Sequence, residues 1–331
     1  MTQVAVLDDW QGIARSSTDW SPLMARAEVI FFPEAFRDED DAAEKLTDFE
    51  IVLSMRERTP LPASLIDRLP KLRMLGITGA SNRSLDLAAC TGHGIVVSNT
   101  TGNSNREAAT AELALGLLLA AARAIPAADA NIRAGRFQQG LPIGVSLAGK
   151  TMGVVGLGRL GSHMAHYAKA LAMDVLAWSP NLTVEKTNAA GLRLASKEEL
   201  FSSCDAISIH LVLSERSRGL IGAADLARMK LGAILVNTSR GPIVDEAALL
   251  DAVCARRIVA ALDVFDREPL PADHPFRSLE NVVVSPHVGY VTERGFRTAW
   301  QRMAEDVAAY LAGAPIRVVT DPADCPPMAP Q

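Results

Sequence analysis

The feature that most constrains the fold is the segment from Thr151 to Gly161, which reads TMGVVGLGRLG. An apolar, β-branched run enters the pattern Gly156, Gly158 and Gly161, and a helix-like segment and a second apolar run, Asp174–Trp178, follow it. Glycine lets the chain turn tightly and lets backbone N–H groups approach a pyrophosphate at a helix N-terminus. This context predicts a Rossmann-type dinucleotide site, with a purely structural glycine turn as the alternative.

Short apolar runs rich in β-branched residues alternate with polar segments of helical periodicity along most of the chain. The strands predicted before the glycine motif are Val4–Leu7, Val29–Phe32, Ile51–Met55, Leu72–Ile77 and Ile95–Val97. Those predicted after it are Asp174–Trp178, Ala206–His210, Ala233–Asn237, Val259–Asp263, Val282–Ser285 and Ile316–Val319. The alternation predicts an α/β fold with two doubly wound, Rossmann-like lobes.

The segments between and around these strands predict helices of different lengths. Helical periodicity covers Asp38–Asp48, Leu61–Leu69 and Tyr290–Ala312. The capping-box pattern SNRE of residues 104–107 opens a long helix toward Arg123, which we expect to connect the two lobes. Residues 125–149 fit neither period and contain Pro126 and Pro142, so we expect them to leave the globular body as an excursion.

Charge and cysteine content narrow the range of partners. A formal net charge of −5 and a pI near 5.7 give no electrostatic case for nucleic acid or an anionic membrane. The four cysteines are scattered without a C-x-x-C pair, and no His, Cys, Asp or Glu spacing suggests a metal. The most apolar window, Leu113–Ala122, is too short to span a bilayer, and no signal peptide is visible. We therefore expect a cytoplasmic protein without metal, nucleic-acid or membrane partners.

Three polar residues, Arg240, Glu268 and His287, follow successive strands of the second series. Ligands bind at the carboxyl ends of the strands in a doubly wound sheet, so these positions are candidates for chemistry. Arg240 can hold a carboxylate bidentately and polarise a neighbouring carbonyl. His287 can transfer the proton that accompanies a hydride, and Glu268 can hold its imidazole in one tautomer. Each residue alone is more commonly a surface residue, but the three together beside a dinucleotide loop favour hydride transfer.

Four motifs in a fixed order make the chain similar to the D-2-hydroxyacid dehydrogenase family over nearly its full length. They are VGLGRLG at Val155–Gly161, NTSRGPIVD at Asn237–Asp245, ALDVFDREPL at Ala261–Leu270 and PHVGYVT at Pro286–Thr292. The resemblance implies that Arg240, Glu268 and His287 form the catalytic set and that 2-keto acids are reversibly reduced to (R)-2-hydroxy acids. It also implies an NAD-type cofactor and a homodimer.

The same resemblance implies how the chain is divided. The substrate-binding lobe is discontinuous and comprises residues 1–100 and 288–331, so that the C-terminal helix completes it. Residues 101–287 form the dinucleotide-binding Rossmann lobe. The excursion at 125–149 matches the arm through which members of the family dimerise.

Cofactor contacts of the family carry over to matching positions of this chain. The implied contacts are Gly156, Gly158, Arg159, Leu160, Gly161, Thr110, His210, Thr238 and Asp263. NAD-selective Rossmann domains also carry an acidic residue after the second strand, about 20 residues past the glycine loop, to hold the ribose diol. Here that position is Ser179, followed by Pro180 and Asn181. Nothing there repels a 2′-phosphate, so we expect NAD or NADP, with dual or NADP-leaning use.

The substrate loop departs from the family pattern. The family holds the substrate carboxylate on backbone N–H groups of a G-x-G-x-D loop, which here is GASNR at residues 79–83. The candidate contacts are Gly79, Ala80 and Ser81, and a backbone anion nest survives side-chain changes if its φ and ψ are kept. Arg56 aligns with a family position that reaches the substrate, with an ordinary surface arginine as the alternative.

The identity of the substrate and the class of protein leave alternatives open. Formate dehydrogenases have a similar layout but carry Gln where this chain has Glu268. Short-form phosphoglycerate, hydroxypyruvate, glyoxylate and phosphite enzymes all fit the motifs. The rival from another class is a nucleotide-sensing scaffold or corepressor built on the same fold, because fold does not determine function.

Overall fold

The chain divides into two units, and each is built around one parallel sheet. The computed structural model describes residues 1–79, 82–100 and 108–320. The first unit consists of Met1–Ser104 and Thr292–Gln331, and the second of Asn105–Val291. The predicted capping box at residues 104–107 lies outside the described residues.

The first unit contains a five-stranded parallel sheet with the order β2-β1-β3-β4-β5. Its strands are β1 (Thr2–Val6), β2 (Ala27–Phe31), β3 (Ile51–Ser54), β4 (Met74–Ile77) and β5 (Val96–Asn99). Five helices lie between them, namely α1 (Ala14–Ser17), α2 (Ser21–Met24), α3 (Glu39–Leu46), α4 (Ala63–Ile66) and α5 (Leu87–Gly92). The order changes direction between β1 and β3, as in a doubly wound sheet, where β1 pairs with both β2 and β3.

The predicted helix at 61–69 is only four residues long in the structure. Leu61 instead forms an isolated bridge with Leu85, and Pro62 precedes the helix in an extended conformation. Residues 67 and 68 form a turn. The short helix and its flanking turns pack together and bury the apolar residues of this segment. A count of apolar periodicity cannot distinguish this arrangement from a longer helix.

The second unit contains a seven-stranded parallel sheet with the order β12-β11-β10-β9-β6-β7-β8. Its strands are β6 (Thr151–Val155), β7 (Asp174–Trp178), β8 (Arg193–Leu194), β9 (Ala206–Ile209), β10 (Ala233–Asn237), β11 (Ile258–Leu262) and β12 (Val282–Val284). Its helices are α6 (Ala109–Ala122), α7 (Ile125–Arg133), α8 (Arg159–Ala170), α9 (Val184–Ala189), α10 (Lys197–Ser203), α11 (Ala223–Arg228) and α12 (Glu246–Cys254). Two short 3-10 helices, Gly241–Ile243 and Pro275–Arg277, follow β10 and β11. The glycine motif follows β6, next to the point where the strand order reverses.

Helix α6 is a core helix of the second unit. Its side chains at Ala111, Ala114, Leu117, Leu118 and Ala122 are buried. Among the described residues, no single helix is both long and apolar enough to cross a membrane. Helices α6 and α7 meet that criterion only when counted together, and the pair is bent by 66°.

The segment 125–149 contains regular structure, although the sequence showed neither helical nor strand periodicity there. It begins with the nine-residue helix α7, which has Pro126 in its first turn, where a missing N–H costs no hydrogen bond. The remainder forms turns and extended chain. Ile143 is 99% exposed and Phe137 66% exposed, so apolar side chains of this segment face outward.

The C-terminal helix α13 (Glu293–Leu311) belongs to the first unit. Thr292 caps it by accepting a hydrogen bond from the amide of Gly295, and Trp300 and Met303 are fully buried. The predicted strand at 316–319 is absent from the described structure, which has only an isolated antiparallel bridge between Val318 and Ser98. The predicted fold class, two parallel α/β Rossmann-like lobes, is confirmed.

Candidate active site

The glycine turn after β6 has the geometry that the motif predicts. Gly156 has a φ of +97°, and a Cβ added there would lie 2.6 Å from the carbonyl oxygen of His210. A Cβ on Gly161 would lie 2.0 Å from the carbonyl oxygen of Gly156. A Cβ on Gly158 would meet no described atom within 4 Å. The first and third glycines are thus required by packing, whereas the second leaves open space above the N-terminus of α8, where a phosphate can approach the backbone.

The ends of β11 and β12 bring a glutamate and a histidine into contact. Glu268 Oε2 lies 2.6 Å from His287 Nδ1, and Glu268 Oε1 accepts a hydrogen bond from the amide of Phe265 at 2.9 Å. Both side chains remain partly accessible, at 33% for Glu268 and 23% for His287. The glutamate is therefore held by its own loop while it binds the imidazole, and the histidine is left in reach of a ligand.

Asp263 holds the loop that carries His287. Its carboxylate is fully buried and accepts hydrogen bonds from the Ser285 hydroxyl (2.6 Å) and from the amides of Val288 (2.9 Å) and Gly289 (3.0 Å). The His287 amide donates to the carbonyl of Asp263 at 2.8 Å, and His287 has a positive φ of 53°. Burial raises the pKa of Asp263, and the three hydrogen bonds oppose that rise. The uncommon backbone conformation of His287 is thus fixed from both sides.

Arg240 lies on the loop after β10, beside the loop that carries Glu268. The side chain of Asn237 donates to the carbonyl of Arg240 at 3.0 Å, and Arg240 Nη1 donates to the carbonyl of Ser239 at 2.7 Å. A Cβ on the next residue, Gly241, would lie 2.1 Å from the backbone of Phe265. Only glycine permits this close approach of the two loops, so the structure brings the Arg240 and Glu268 segments together.

Two buried polar atoms of the residues that directly follow β9 and β10 have no hydrogen-bond partner among the described residues. They are the Thr238 hydroxyl and Nδ1 of His210. His210 Nε2 contacts the Ser208 hydroxyl at 2.8 Å, and burial lowers the pKa of His210 to about 4. Buried polar atoms are almost always satisfied, so both atoms indicate a polar ligand. Together with the open space at Gly158, they fit a bound dinucleotide.

The remaining predicted cofactor positions surround the same sheet edge. Thr110 donates through its hydroxyl to the carbonyl of Gly289 at 3.1 Å, next to the His287 loop. Arg159 is exposed and Leu160 half-buried at the start of α8, and Ser179 is half-buried directly after β7. The structure therefore brings Thr110 and Asp263 to one loop, and places Arg159, Leu160 and Ser179 at the ends of β6 and β7.

The predicted substrate residues of the first unit lie after β3 and β4. A Cβ on Gly79, whose φ is +86°, would lie 1.8 Å from Nη1 of Arg56, so the guanidinium lies directly on the glycine backbone. The amide of Arg56 donates to the Thr78 hydroxyl at 2.7 Å. The structure thus brings Arg56 and Gly79 together, whereas Ala80 and Ser81 lie outside the described residues.

One residue that supports the site, Ser285, was not predicted from the sequence. Ser285 ends the run predicted as the last strand of the second unit and donates to the buried Asp263. A hydroxyl at the carboxyl end of a strand, two residues before His287, is the signal that could have identified it. Its neighbours in the sequence gave no hint of its partner, because that partner lies 22 residues away.

A parallel sheet with a glycine turn at its switch point has the geometry of a dinucleotide-binding site, and a carboxylate–imidazole pair lies at the carboxyl edge of the same sheet. The sequence model of the family described as "D-isomer specific 2-hydroxyacid dehydrogenase, NAD binding domain" matches residues 115–289. The chain belongs to the D-isomer specific 2-hydroxyacid dehydrogenases, a family of oxidoreductases, and contains their NAD-binding domain.

Known proteins resemble the chain in sequence and in structure. The D-3-phosphoglycerate dehydrogenase of Archaeoglobus fulgidus is 39% identical over 264 residues, which cover 80% of this chain and 50% of that protein. An oxidoreductase from Ralstonia solanacearum superposes with a TM-score of 0.91 and 35% identity, covering 99% of both chains. A phosphoglycerate oxidoreductase from Vibrio cholerae gives 0.88 and 34%, covering 95% of this chain and 100% of its own. The chain spans about half the length of the curated relatives it matches. These relatives are named as dehydrogenases, so the scaffold or corepressor alternative is not favoured.

Proposed function

We propose that this protein transfers a hydride reversibly between NAD(P)H and the C2 carbonyl of a 2-keto acid, giving an (R)-2-hydroxy acid. The observation that carries the proposal is the 2.6 Å contact between Glu268 Oε2 and His287 Nδ1 at the carboxyl edge of the sheet. A carboxylate on Nδ1 leaves Nε2 as the ring nitrogen that can exchange a proton with a substrate oxygen. This is the proton transfer that must accompany hydride transfer to a carbonyl.

Three side chains divide the work. Arg240 binds the substrate carboxylate and polarises the keto oxygen, because its planar guanidinium offers paired donors. His287 donates a proton to that oxygen during reduction and accepts it during oxidation. Glu268 holds the imidazole in the tautomer with its proton on Nδ1. The reduced nicotinamide, when bound, supplies the hydride.

The two units take different tasks in this proposal. In the second unit, Gly156, Gly158 and Gly161 receive the pyrophosphate, and Thr238 and His210 offer their unsatisfied buried atoms to the cofactor. The remaining proposed cofactor contacts are Arg159, Leu160, Ser179, Thr110 and Asp263. In the first unit, Gly79 and the guanidinium of Arg56, which lie against each other, are proposed substrate contacts, and Ala80 and Ser81 are further candidates.

We also propose that both NAD and NADP are used. Ser179 stands where an NAD-selective site carries an acidic residue, and its hydroxyl can hydrogen-bond either ribose. A strong preference for NAD, by about a hundredfold or more in kcat/KM, would contradict this, since it would require a repulsion of 2′-phosphate of nearly 3 kcal/mol.

A homodimer formed through residues 125–149 completes the proposal. Besides Phe137 and Ile143, this segment exposes Ile125, Ile132 and Val145. A stretch of apolar side chains on the surface marks an interaction site. Light scattering should give twice the monomer mass for the wild type, and Ile143→Asp should yield monomer. Leu231→Asp, at an equally open apolar position outside the segment, is the matched control. Wild-type monomer would contradict the dimer.

The experiment that tests the activity follows nicotinamide absorbance with purified protein. NADH and NADPH are assayed in parallel against glyoxylate, hydroxypyruvate, phenylpyruvate and branched-chain 2-keto acids, with 3-phosphoglycerate in the oxidative direction because of the relatives' names. Turnover of any member is the expected result, with formation of the (R)-alcohol from those 2-keto acids whose products are chiral. Cofactor binding without turnover across the panel would count against the enzyme and in favour of a nucleotide sensor.

A further inference from the structure

The second unit contains a second carboxylate–histidine pair, which lies outside the proposed catalytic set. Glu246, the first residue of α12, accepts a hydrogen bond through Oε2 from the amide of Asp266 at 3.2 Å. Its other oxygen lies 3.3 Å from Nε2 of His274. The two side chains are 28% and 15% exposed, so the pair is largely shielded from solvent. Neither residue belongs to the set proposed to touch substrate or cofactor.

The two carboxylates hold consecutive amides of one loop. Glu268 accepts from the amide of Phe265, and Glu246 accepts from the amide of Asp266, the next residue along the chain. This loop starts directly after β11 and carries Glu268 itself. The position of Glu268, and with it the 2.6 Å contact to His287, thus depends on a backbone that Glu246 helps to hold.

The hydrogen bonds of His274 determine which of its ring nitrogens carries the proton. The amide of Phe276 donates to Nδ1 of His274 at 3.2 Å, so Nδ1 is an acceptor and Nε2 bears the hydrogen that points at Glu246. The imidazole also packs against the Phe276 ring, with centroids 4.7 Å apart. A neutral His274 therefore satisfies both partners and fixes the direction of the Glu246 carboxylate.

We propose that Glu246 and His274 are positioning residues that set the alignment of Glu268 on His287. The inference rests on the proposed dehydrogenase function. A glutamate at position 246 is required because both of its oxygens accept hydrogen bonds, one from the loop and one from the imidazole. Glutamine has only one acceptor oxygen and satisfies only one of these partners.

The charged groups around Glu246 make this arrangement electrostatically demanding. Burial raises the pKa of Asp266, and the neighbouring carboxylates of Glu246 and Asp245 raise it further, whereas Arg218 opposes them. Glu246 also gives the N-terminus of α12 an acid in its first turn, which is favourable for the helix. A purely structural role of Glu246 would therefore appear as lost stability, and the test must separate stability from positioning.

The first measurement reads the ring nitrogens of His287 by ¹⁵N NMR and needs no turnover. Assignment uses a His287→Gln variant. Wild-type His287 should carry its proton on Nδ1, because Glu268 accepts there. In Glu246→Ala and in His274→Phe, which keeps the ring stacking, the population with the proton on Nε2 should rise. An unchanged tautomer in both folded variants would overturn the inference.

The second measurement is a double-mutant cycle in kcat. Glu246→Ala should lower kcat by about tenfold to a hundredfold, with the KM for cofactor unchanged, because a small displacement of the catalytic pair is enough. In a Glu268→Gln background the same substitution should lower kcat by less than about threefold, since Glu246 acts through Glu268. Glu280→Ala, which removes an exposed carboxylate paired with Arg256, is the control and should keep wild-type kcat.

The outcomes separate the two proposals. Independent, multiplicative losses in the cycle would contradict positioning through Glu268. If Glu246→Ala fails to fold, His274→Phe carries both measurements. If the wild-type protein turns over no 2-keto acid, the proposed function fails, whereas the His287 tautomer still decides whether Glu246 positions the pair.

Discussion

Asp8 in the first unit and Asp263 in the second are both buried carboxylates that hold a neighbouring loop, but the loops they hold differ in function. Each is a buried carboxylate placed just after a strand, and each ties down a loop that follows a neighbouring strand. Asp8 accepts hydrogen bonds from the Thr59 hydroxyl at 2.7 Å and the Met55 amide at 3.3 Å, and Asp263 accepts three from the His287 loop. Burial raises the pKa of both, and hydrogen bonds oppose the rise in both.

The difference lies in what the tied loop carries. The loop held by Asp8 carries two arginines. Arg58 Nη1 donates to the carbonyl of Asp8 and to the side chain of Gln11, and its guanidinium lies 4.5 Å over the Trp10 ring, so Arg58 joins the loops to each other. Arg56 is the proposed substrate contact of the same loop. The loop held by Asp263 carries His287, whose ring contacts Glu268 and remains partly open. We infer that Asp8 contributes stability and holds a loop with a proposed substrate contact, whereas Asp263 aligns the residue proposed to transfer the proton.

The largest expected effect is a loss of turnover caused by a substitution in the second unit. Asp263→Asn keeps the shape but replaces one acceptor oxygen with a donor, so the Val288 and Gly289 amides cannot both be satisfied. The His287 loop should shift, and kcat should fall by about a hundredfold or more. Steady-state kinetics with the best substrate of the panel checks this. A kcat within about twofold of wild type would contradict the claim that Asp263 aligns His287 for catalysis.

The matching change in the first unit should cost stability instead. Asp8→Ala leaves the Thr59 hydroxyl and the Met55 amide without their acceptor, which we expect to cost about 1–3 kcal/mol in the free energy of unfolding. Below the unfolding transition, the folded variant should keep a kcat much closer to that of wild type than Asp263→Asn does. Any loss should appear in the KM for the 2-keto acid, because the same loop carries Arg56. Denaturant titration followed by kinetics measures both. A loss of turnover as large as that of Asp263→Asn would show that the two aspartates do not differ in role.

A third prediction concerns the cofactor edge of the second unit. Ser179→Asp places a negative charge where a 2′-phosphate would lie, so kcat/KM for NADPH should fall by about tenfold or more, while that for NADH changes little. Parallel assays with both cofactors give the ratio. Ser202→Asp, at an exposed position of α10 outside the proposed cofactor contacts, tests whether any added charge has this effect. An unchanged ratio in Ser179→Asp would remove Ser179 from the cofactor site.

The smallest expected effect is a change in the pH dependence of stability. It concerns a buried carboxylate with a hydrogen-bond partner on only one of its two oxygens. Asp306 bonds Nε of Arg317 at 2.8 Å, but its other oxygen is buried without a partner among the described residues. Burial, opposed by Arg317, raises the pKa of Asp306 to about 7. Between the unfolded value of 3.8 and about 7, the folded state keeps a proton that the unfolded state has released. The stability from Asp306 is therefore present at low pH and is lost as the pH rises through about 7.

Comparison of wild type with Asp306→Asn isolates this contribution. The free energy of unfolding of the wild type should fall more steeply with rising pH from about 4 to 7 than that of the variant, which cannot titrate at this position. Denaturant titrations at several pH values measure both slopes. Parallel slopes would show that Arg317 keeps Asp306 charged in the folded protein.

Much of the architecture could be predicted because parallel strands are short apolar runs with sharp ends. Asp174–Trp178 and Ala233–Asn237 are strands with the predicted bounds. The two-residue strand Arg193–Leu194 was missed because it is too short to show a period, and helix α7 was missed because its apolar side chains face outward. Residues 316–319 are apolar except for Arg317, which has a left-handed backbone conformation, and the segment forms a single bridge rather than a strand.

The site was predicted in its residue types but not in its supports. The strand-end rule identified Glu268 and His287, and the structure places them in contact. Their roles stay predictions. The contacts made by the supporting residues Ser285 and Glu246 could not be inferred, because their hydrogen bonds join residues 22 and 20 positions apart in the chain.

The central claim is that His287 moves the proton of a hydride transfer and that binding of the cofactor does not depend on it. The most direct measurement compares wild type and His287→Ala for kcat with the best 2-keto acid and for the Kd of the reduced cofactor. We expect kcat to fall by about a thousandfold, as for loss of a general acid–base, with the Kd within about twofold. A Kd that weakens as much as kcat falls, or a kcat that does not fall, would contradict the account.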